Sequence, residues 1–159
     1  MASIDLRSDL SFFRLLRDSY HRLTRLSLIP DEIEESRAPE WLYKTAPFGL
    51  LAHNTATDPV FLYGNQTAQS LFGYTWDELT ALPSRLSAEA PERDERQRFL
   101  ERVQRDGFVS GYSGIRITKD GRRFRIENAT VWQLIDNAGT HHGQAAMLPT
   151  DAVKSVTSS

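Results

Sequence analysis

The chain has 159 residues, 40% of them hydrophobic and 25% charged, with a formal net charge of −2 and no cysteine. That length suits one domain with a small appendage, the near-neutral balance provides no basic field for direct nucleic-acid contact, and the missing thiols exclude disulfides, thiolate metal sites, cysteine nucleophiles and cysteinyl-flavin photochemistry. No apolar run approaches the roughly 18 residues of a membrane span, and MASIDLRSDL lacks the basic-then-apolar pattern of a secretory signal, so the expectation is a cytoplasmic protein without membrane contact.

Residues 1–30 form a first segment whose periodic part, 8–28, reads as an amphipathic helix. Phe12, Leu16, Ser19, Tyr20, Leu23 and Leu26 fall within one arc, with Arg14, Asp18, His21 and Arg25 opposite. Two readings stay open, a helix docked on its own domain or one that pairs with a second copy. A third, a membrane-surface helix suggested by the arginines, is weakened by Asp9 and Asp18. Residues 31–40 (Pro30 just before, then Asp31, Glu32, Glu34, Glu35 and Pro39) read as a linker with room for a helical turn.

Residues 41–149 carry a mixed pattern. Short strands are predicted at 48–52 and 60–63, separated by the Asp58-Pro59 turn. Asn65 opens a helix that Gly73 stops. Thr75 with Glu78 three residues on is a capping box for another short helix. LPSRL at 82–86 is loop-like, and Pro91 opens a longer helix to Arg105, closed by Gly107. Two long strands follow, joined by Asp120-Gly121, which supplies the positive-φ positions of a tight hairpin. Residues 143–148 form a last strand, and 150–159 read as a frayed tail. Strands, a helical block, then strands imply an α+β fold, an antiparallel sheet with helices on one face.

Period-two alternation puts Phe124, Ile126, Asn128, Thr130, Trp132 and Leu134 on one strand face. An amide among apolar anchors needs an internal partner or a polar pocket. Asn128 beside Trp132 would hold a planar polar ligand, with Arg85 or Arg96 neutralising an acidic group. Arg96 shares a helix face with Phe99, Leu100 and Val103, with Glu92 one turn earlier as its surface alternative. Ser84-Arg85 follows a proline in a loop suited to anion recognition. On the first hairpin strand, Ser113 alternates with Tyr112, Gly114, Arg116 and Thr118. On the second, Arg123, Arg125 and Glu127, opposite Asn128, read as a solvated face or a cross-strand charge ladder with Arg116. Gln144 on the last strand is a further polar group for a cavity. The candidate ligand-binding set is Asn65, Ser84, Arg85, Arg96, Ser113, Asn128, Trp132 and Gln144. The four histidines, His21, His53, His141 and His142, show no metal-site spacing and read as structural or solvated. No catalytic constellation or nucleotide-binding glycine motif emerges.

The phrase VFLYGNQTAQSLFGYTWDEL, through Asn65, Phe72, Gly73, Tyr74, Glu78 and Leu79, resembles the Per-Arnt-Sim (PAS) sensor fold. More closely, DPVFLYGNQTA, LPSRLSA, GYSGIRI, GRRFRIENATVWQL and GQAA, in order across 41–148, resemble the MEKHLA domain, a PAS-like family, in its stand-alone bacterial form. The resemblance implies a PAS-like sheet and a sensory or interaction role, with no ligand to carry over. PAS relatives that bind haem often place a histidine on the long helix, and flavin photosensors of this fold need a cysteine. Residues 91–107 hold no histidine and the chain no cysteine, which argues against haem and covalent flavin and leaves non-covalent flavin open.

Two functions follow as expectations. One is a sensory, ligand-binding or protein-interaction module that acts through a homodimer or a signalling partner protein, its ligand unknown. The other is a small enzyme acting on a small organic acid in the same pocket through Arg85 or Arg96.

Overall fold

A computed structural model describes residues 5–88, 90–150 and 154–155, with the side chains of 90–93 and 154–155 outside that description. The first helix, α1 (Leu10–Thr24), starts where the Asp9 carboxylate accepts the Phe12 N–H at 2.8 Å. It stops where Arg25 turns left-handed at φ 66°, so it is shorter at both ends than its periodicity suggested. Next come α2 (Ala38–Lys44), β1 (Phe48–His53), β2 (Phe61–Gly64), α3 (Gln66–Phe72), α4 (Trp76–Leu79), a 3-10 turn at Ser84–Ser87, and α5 (Ala90–Asp106). The chain ends in β3 (Phe108–Ile117), β4 (Arg123–Ile135), β5 (His141–Pro149) and the short β6 (Lys154–Ser155).

Local chemistry sets several of these boundaries. Asn65 caps α3 by accepting the Ala68 N–H, and Gly73 ends it at φ 80°. Thr75 and Glu78 form both halves of a capping box on α4. Five antiparallel strands run in the order β2-β1-β5-β4-β3. β6 pairs with β4 beside Phe124 and Arg125, so part of the segment read as a frayed tail is a strand. Residues 151–153 and 156–159 lie outside the described residues.

The helices α3, α4 and α5 cover one face of the sheet, burying Ala68, Phe72, Leu79, Phe99 and Val103 with Leu51, Ile126, Val131 and Leu148. The other face is closed by α1 and braced by α2, with Phe12, Phe13, Leu16, Tyr20 and Leu42 packed around Leu50, Trp132 and Leu134. Trp132 Nε1–H donates to Ser19 Oγ at 3.0 Å, and the Tyr20 ring meets the indole edge-on at 4.9 Å. The apolar stripe of α1 is therefore covered by its own sheet. Leu26, expected on that stripe, lies beyond the helix end and is 60% exposed.

The middle of β4 departs from simple alternation. Tyr112 pairs with Ala129, but Gly114 pairs with Ile126, so Glu127 and Asn128 together oppose Ser113. Asn128 sits at φ 57°, the left-handed residue of a β-bulge. One extra residue flips every following side chain to the opposite face. Phe124 and Ile126 share the α5 side with Ala129 and Val131, whereas Trp132 and Leu134 pack on the α1 side.

Candidate functional site

Between α5 and the sheet lies a cavity of about 60 Å3. Its apolar wall comes from Leu51, Phe61, Phe72, Phe99, Ile126, Val131 and Leu148, and its polar wall from His53, Ser87, Arg96, Tyr112, Arg116 and Gln144. A broader cleft of about 330 Å3 adjoins it, lined by the β1–β2 loop (54–59), Ser84, Arg85, the outer turns of α5, His141 and Gly143. His53, Arg96, Leu100 and Gln144 line both spaces and stand where cleft and cavity meet.

Arg96 reaches this junction because it shares the inward face of α5 with Phe99 and Val103, both buried. It is itself 8% exposed and makes no hydrogen bond or ion pair to any described residue. Burial, and then repulsion from Arg116, lowers its pKa to about 10, against a smaller opposing pull from Tyr112. The guanidinium therefore stays charged at neutral pH. The Glu92 side chain, its expected surface partner, lies outside the described residues.

Arg116 is also 8% exposed, but it is tied down. It donates to the Ile115 carbonyl at 2.9 Å and to Tyr112 Oη at 3.2 Å. Tyr112 Oη–H in turn donates to Glu95 at 3.0 Å, and its ring stacks on Phe99 with centroids 3.7 Å apart. Gly114 makes this arrangement possible, because a Cβ there would stand 2.7 Å from Tyr112 Oη. The face read as a solvated charge ladder thus contributes a buried arginine to the cavity.

His53 ends β1. Its Nδ1 lies 3.0 Å from the Asn54 carbonyl, a contact that needs the proton on Nδ1 and leaves Nε2 a bare acceptor. Nε2 is buried and has no partner among the described residues, and the same holds for Gln144 Oε1 and Ser84 Oγ. Burial pushes the His53 pKa down foremost, the Asn54 carbonyl raises it, Arg96 and then His141 lower it, and the neighbouring Gln144 side chain raises it least. The β5 backbone can come this close because of Gly143, at φ 141°. A Cβ there would lie 2.0 Å from the His53 carbonyl oxygen.

The structure gathers Arg96 and Gln144 at the junction and puts Ser84 and Arg85 along the outer cleft. Arg85 pairs with Asp58 at 3.2 Å in an exposed position. The other expected residues lie elsewhere. Asn65 is fully buried as a structural bracket: its Oδ1 accepts from Leu50 and Ala68 N–H, and its Nδ2 donates to the Leu42 and Phe48 carbonyls. Ser113 and Asn128 are exposed, and Trp132 faces α1 on the opposite side of the sheet. The bulge is the physical reason Asn128 and Trp132 share no pocket. His53, Arg116 and Tyr112 were not in the expected set. The signal for the last two was their common face with Gly114, a glycine that makes room for large neighbours.

No metal-binding cluster of histidine and carboxylates occurs among the described residues, and no described helix is long and apolar enough to cross a membrane. An antiparallel sheet of order β2-β1-β5-β4-β3, with a helical block facing a small cavity, is a PAS-like fold. It is similar to the PAS domain of a protein from Colwellia psychrerythraea (TM-score 0.62, 12% identity, 78% of this chain and 98% of that one). It is also similar to a light-oxygen-voltage domain studied with a flavin analogue (TM-score 0.54, 17% identity, 79% and 87%). A third similar structure is an RNA-binding light-oxygen-voltage receptor (TM-score 0.58, 18% identity, 77% of this chain and 35% of that one). No curated protein matches the sequence significantly. The sequence model of the MEKHLA domain matches residues 10–151, and the chain belongs to the MEKHLA domain family. The match takes in α1, which packs on the sheet as described above.

Proposed function

We propose that this chain is a cytoplasmic sensory module that reads a small molecule in the cavity between α5 and the sheet and passes its state to a second copy or a partner protein. The observation that carries this reading is the polar rim of the cavity. Arg96 makes no hydrogen bond or ion pair to a described residue, and His53 Nε2 and Gln144 Oε1 are buried without a partner among those residues. An unpaired buried polar group costs roughly 1–3 kcal/mol, so two orphaned acceptors beside a cation that no described residue pairs favour a bound molecule that satisfies them. A core selected for interaction alone would gain stability from apolar residues at these positions.

The flavin named for one structural neighbour does not suit this cavity. Pockets for drug-sized ligands run to roughly 300–1,000 Å3, well above the 60 Å3 of this cavity. The stacked Phe99 and Tyr112 rings take up part of the space beneath α5, and the chain has no cysteine to form an adduct. A ligand of few heavy atoms fits better.

Native mass spectrometry of protein purified from its own host tests the proposal. The expected result is a low-mass adduct that disappears on denaturation, with the oligomeric state read in the same spectrum. A bare polypeptide mass, together with an unchanged melting temperature across a small-molecule library, would assign the domain to protein interaction alone.

A further inference from the structure

We propose that the molecule recognised in this cavity is a short organic acid, its carboxylate held by Arg96 on the side that faces Arg116, and its skeleton carrying a hydrogen-bond donor toward His53 and Gln144. The inference rests on the ligand-sensing reading above and specifies the chemistry of the ligand.

Three observations converge on an acid of this kind. First, Arg96 is a buried cation that no described residue neutralises, and the other charge that shapes its titration most is the like charge of Arg116. An anion seated at Arg96 would remove both the unpaired charge and the repulsion. Guanidinium matches a carboxylate through two parallel N–H donors. Second, the wall beyond the arginines is apolar, built from side chains such as Phe61, Phe72, Ile126 and Leu148. A bare inorganic anion would leave that wall uncovered, whereas a carbon skeleton covers it. Third, the two orphaned atoms at the cleft end, His53 Nε2 and Gln144 Oε1, are both acceptors once the His53 proton sits on Nδ1. They call for a donor on the ligand, a hydroxyl or an amine. The cavity size limits the skeleton to a few carbons.

The test compares four probes on the whole chain by thermal shift and calorimetry, against sodium chloride at equal ionic strength. Lactate has the carboxylate and the hydroxyl, propionate the carboxylate alone, lactamide the hydroxyl without the charge, and inorganic phosphate the charge without the skeleton. The expected result is saturable binding strongest for lactate, weaker for propionate, and absent for lactamide and phosphate. Arg96→Met should raise the half-saturating lactate concentration roughly tenfold or more, the scale of a lost charge-assisted hydrogen bond. Should Arg96→Met fail to fold, the lactate–lactamide contrast in the wild-type chain decides alone. Equal binding of lactamide and lactate, or tighter binding of phosphate than of either acid, would overturn the inference and leave a ligand-sensing module standing. No response to any probe overturns it as well, and the native mass spectrum then separates the cases. A neutral adduct keeps the sensing role, and a bare chain removes it.

Discussion

At His53 a single ring joins fold and site. Its Nδ1 side holds the Asn54 carbonyl, its Nε2 faces the cavity junction unpaired, and burial holds its pKa below the usual 6.5. The sign of the pH effect follows. Between that depressed value and 6.5 the unfolded chain binds the proton and the folded chain does not, so stability is full above 6.5 and falls as the solution is acidified. The carboxylates held low by partners, such as Glu35 beside Arg14 and Arg17, contribute only at more acid pH, because their unfolded values lie near 4. Urea midpoints should therefore drop between about pH 7.5 and pH 5. His53→Asn, which keeps a donor for the Asn54 carbonyl, should flatten that slope. Equal slopes in the two proteins would show that His53 is not the group responsible. Nothing local in the sequence marks this histidine. Its burial depends on Arg96 and Gln144, dozens of residues away, and on the close approach that Gly143 allows.

Among the elements, those governed by neighbours in sequence were legible and those governed by pairing were not. Asn65 with Gly73 and Thr75 with Glu78 mark boundaries through bonds spanning a few residues, and each stands where the residue types require. At the β3–β4 turn only Gly121 takes a positive φ, 87°, while Asp120 does not, and Thr118 N–H bonds the Arg122 carbonyl across a loop longer than the two-residue turn expected. The β4 bulge has no such local mark. Apolar alternation continues through Asn128 in the sequence, while the register against β3 slips by one. The expected pocket of Asn128 and Trp132 failed for that reason, although Arg96 and Gln144, placed by α5 and β5, do reach the cavity. The bulge makes its own prediction. Asn128 tolerates φ 57° better than most residues, so Asn128→Gly should stay within about 0.5 kcal/mol of wild type. Asn128→Val should cost roughly 1–2 kcal/mol through the left-handed penalty. Denaturant titration checks both, and a harmless valine would mean the bulge relaxes without cost.

Over the whole molecule, one sheet separates two cores, and α1 closes the one without the cavity. Leu16 is 1% exposed there, beside Tyr20 and Trp132. Leu16→Ala should destabilise the chain by roughly 3 kcal/mol, read as a lower melting temperature that does not depend on protein concentration. A helix engaged mainly with a second copy would give a different result: a shifted monomer–oligomer balance on light scattering and an unchanged intrinsic stability. The order of helices and strands across residues 41–149 was readable because each carries its own period. The docking of α1 was not, since an amphipathic stripe records that a face is buried and not what buries it.

The alternation of β4 beyond its bulge has a mechanical consequence. Val131 belongs to the cavity wall, and the next residue, Trp132, faces the other way and holds Ser19 of α1. The partition between the cavity and the α1-side core is one residue thick. Whatever presses on Val131 presses on the indole through a single peptide bond, with no chain of intermediaries. The N-terminal helix thus rests directly on the strand that walls the cavity, with Trp132 at the contact between them.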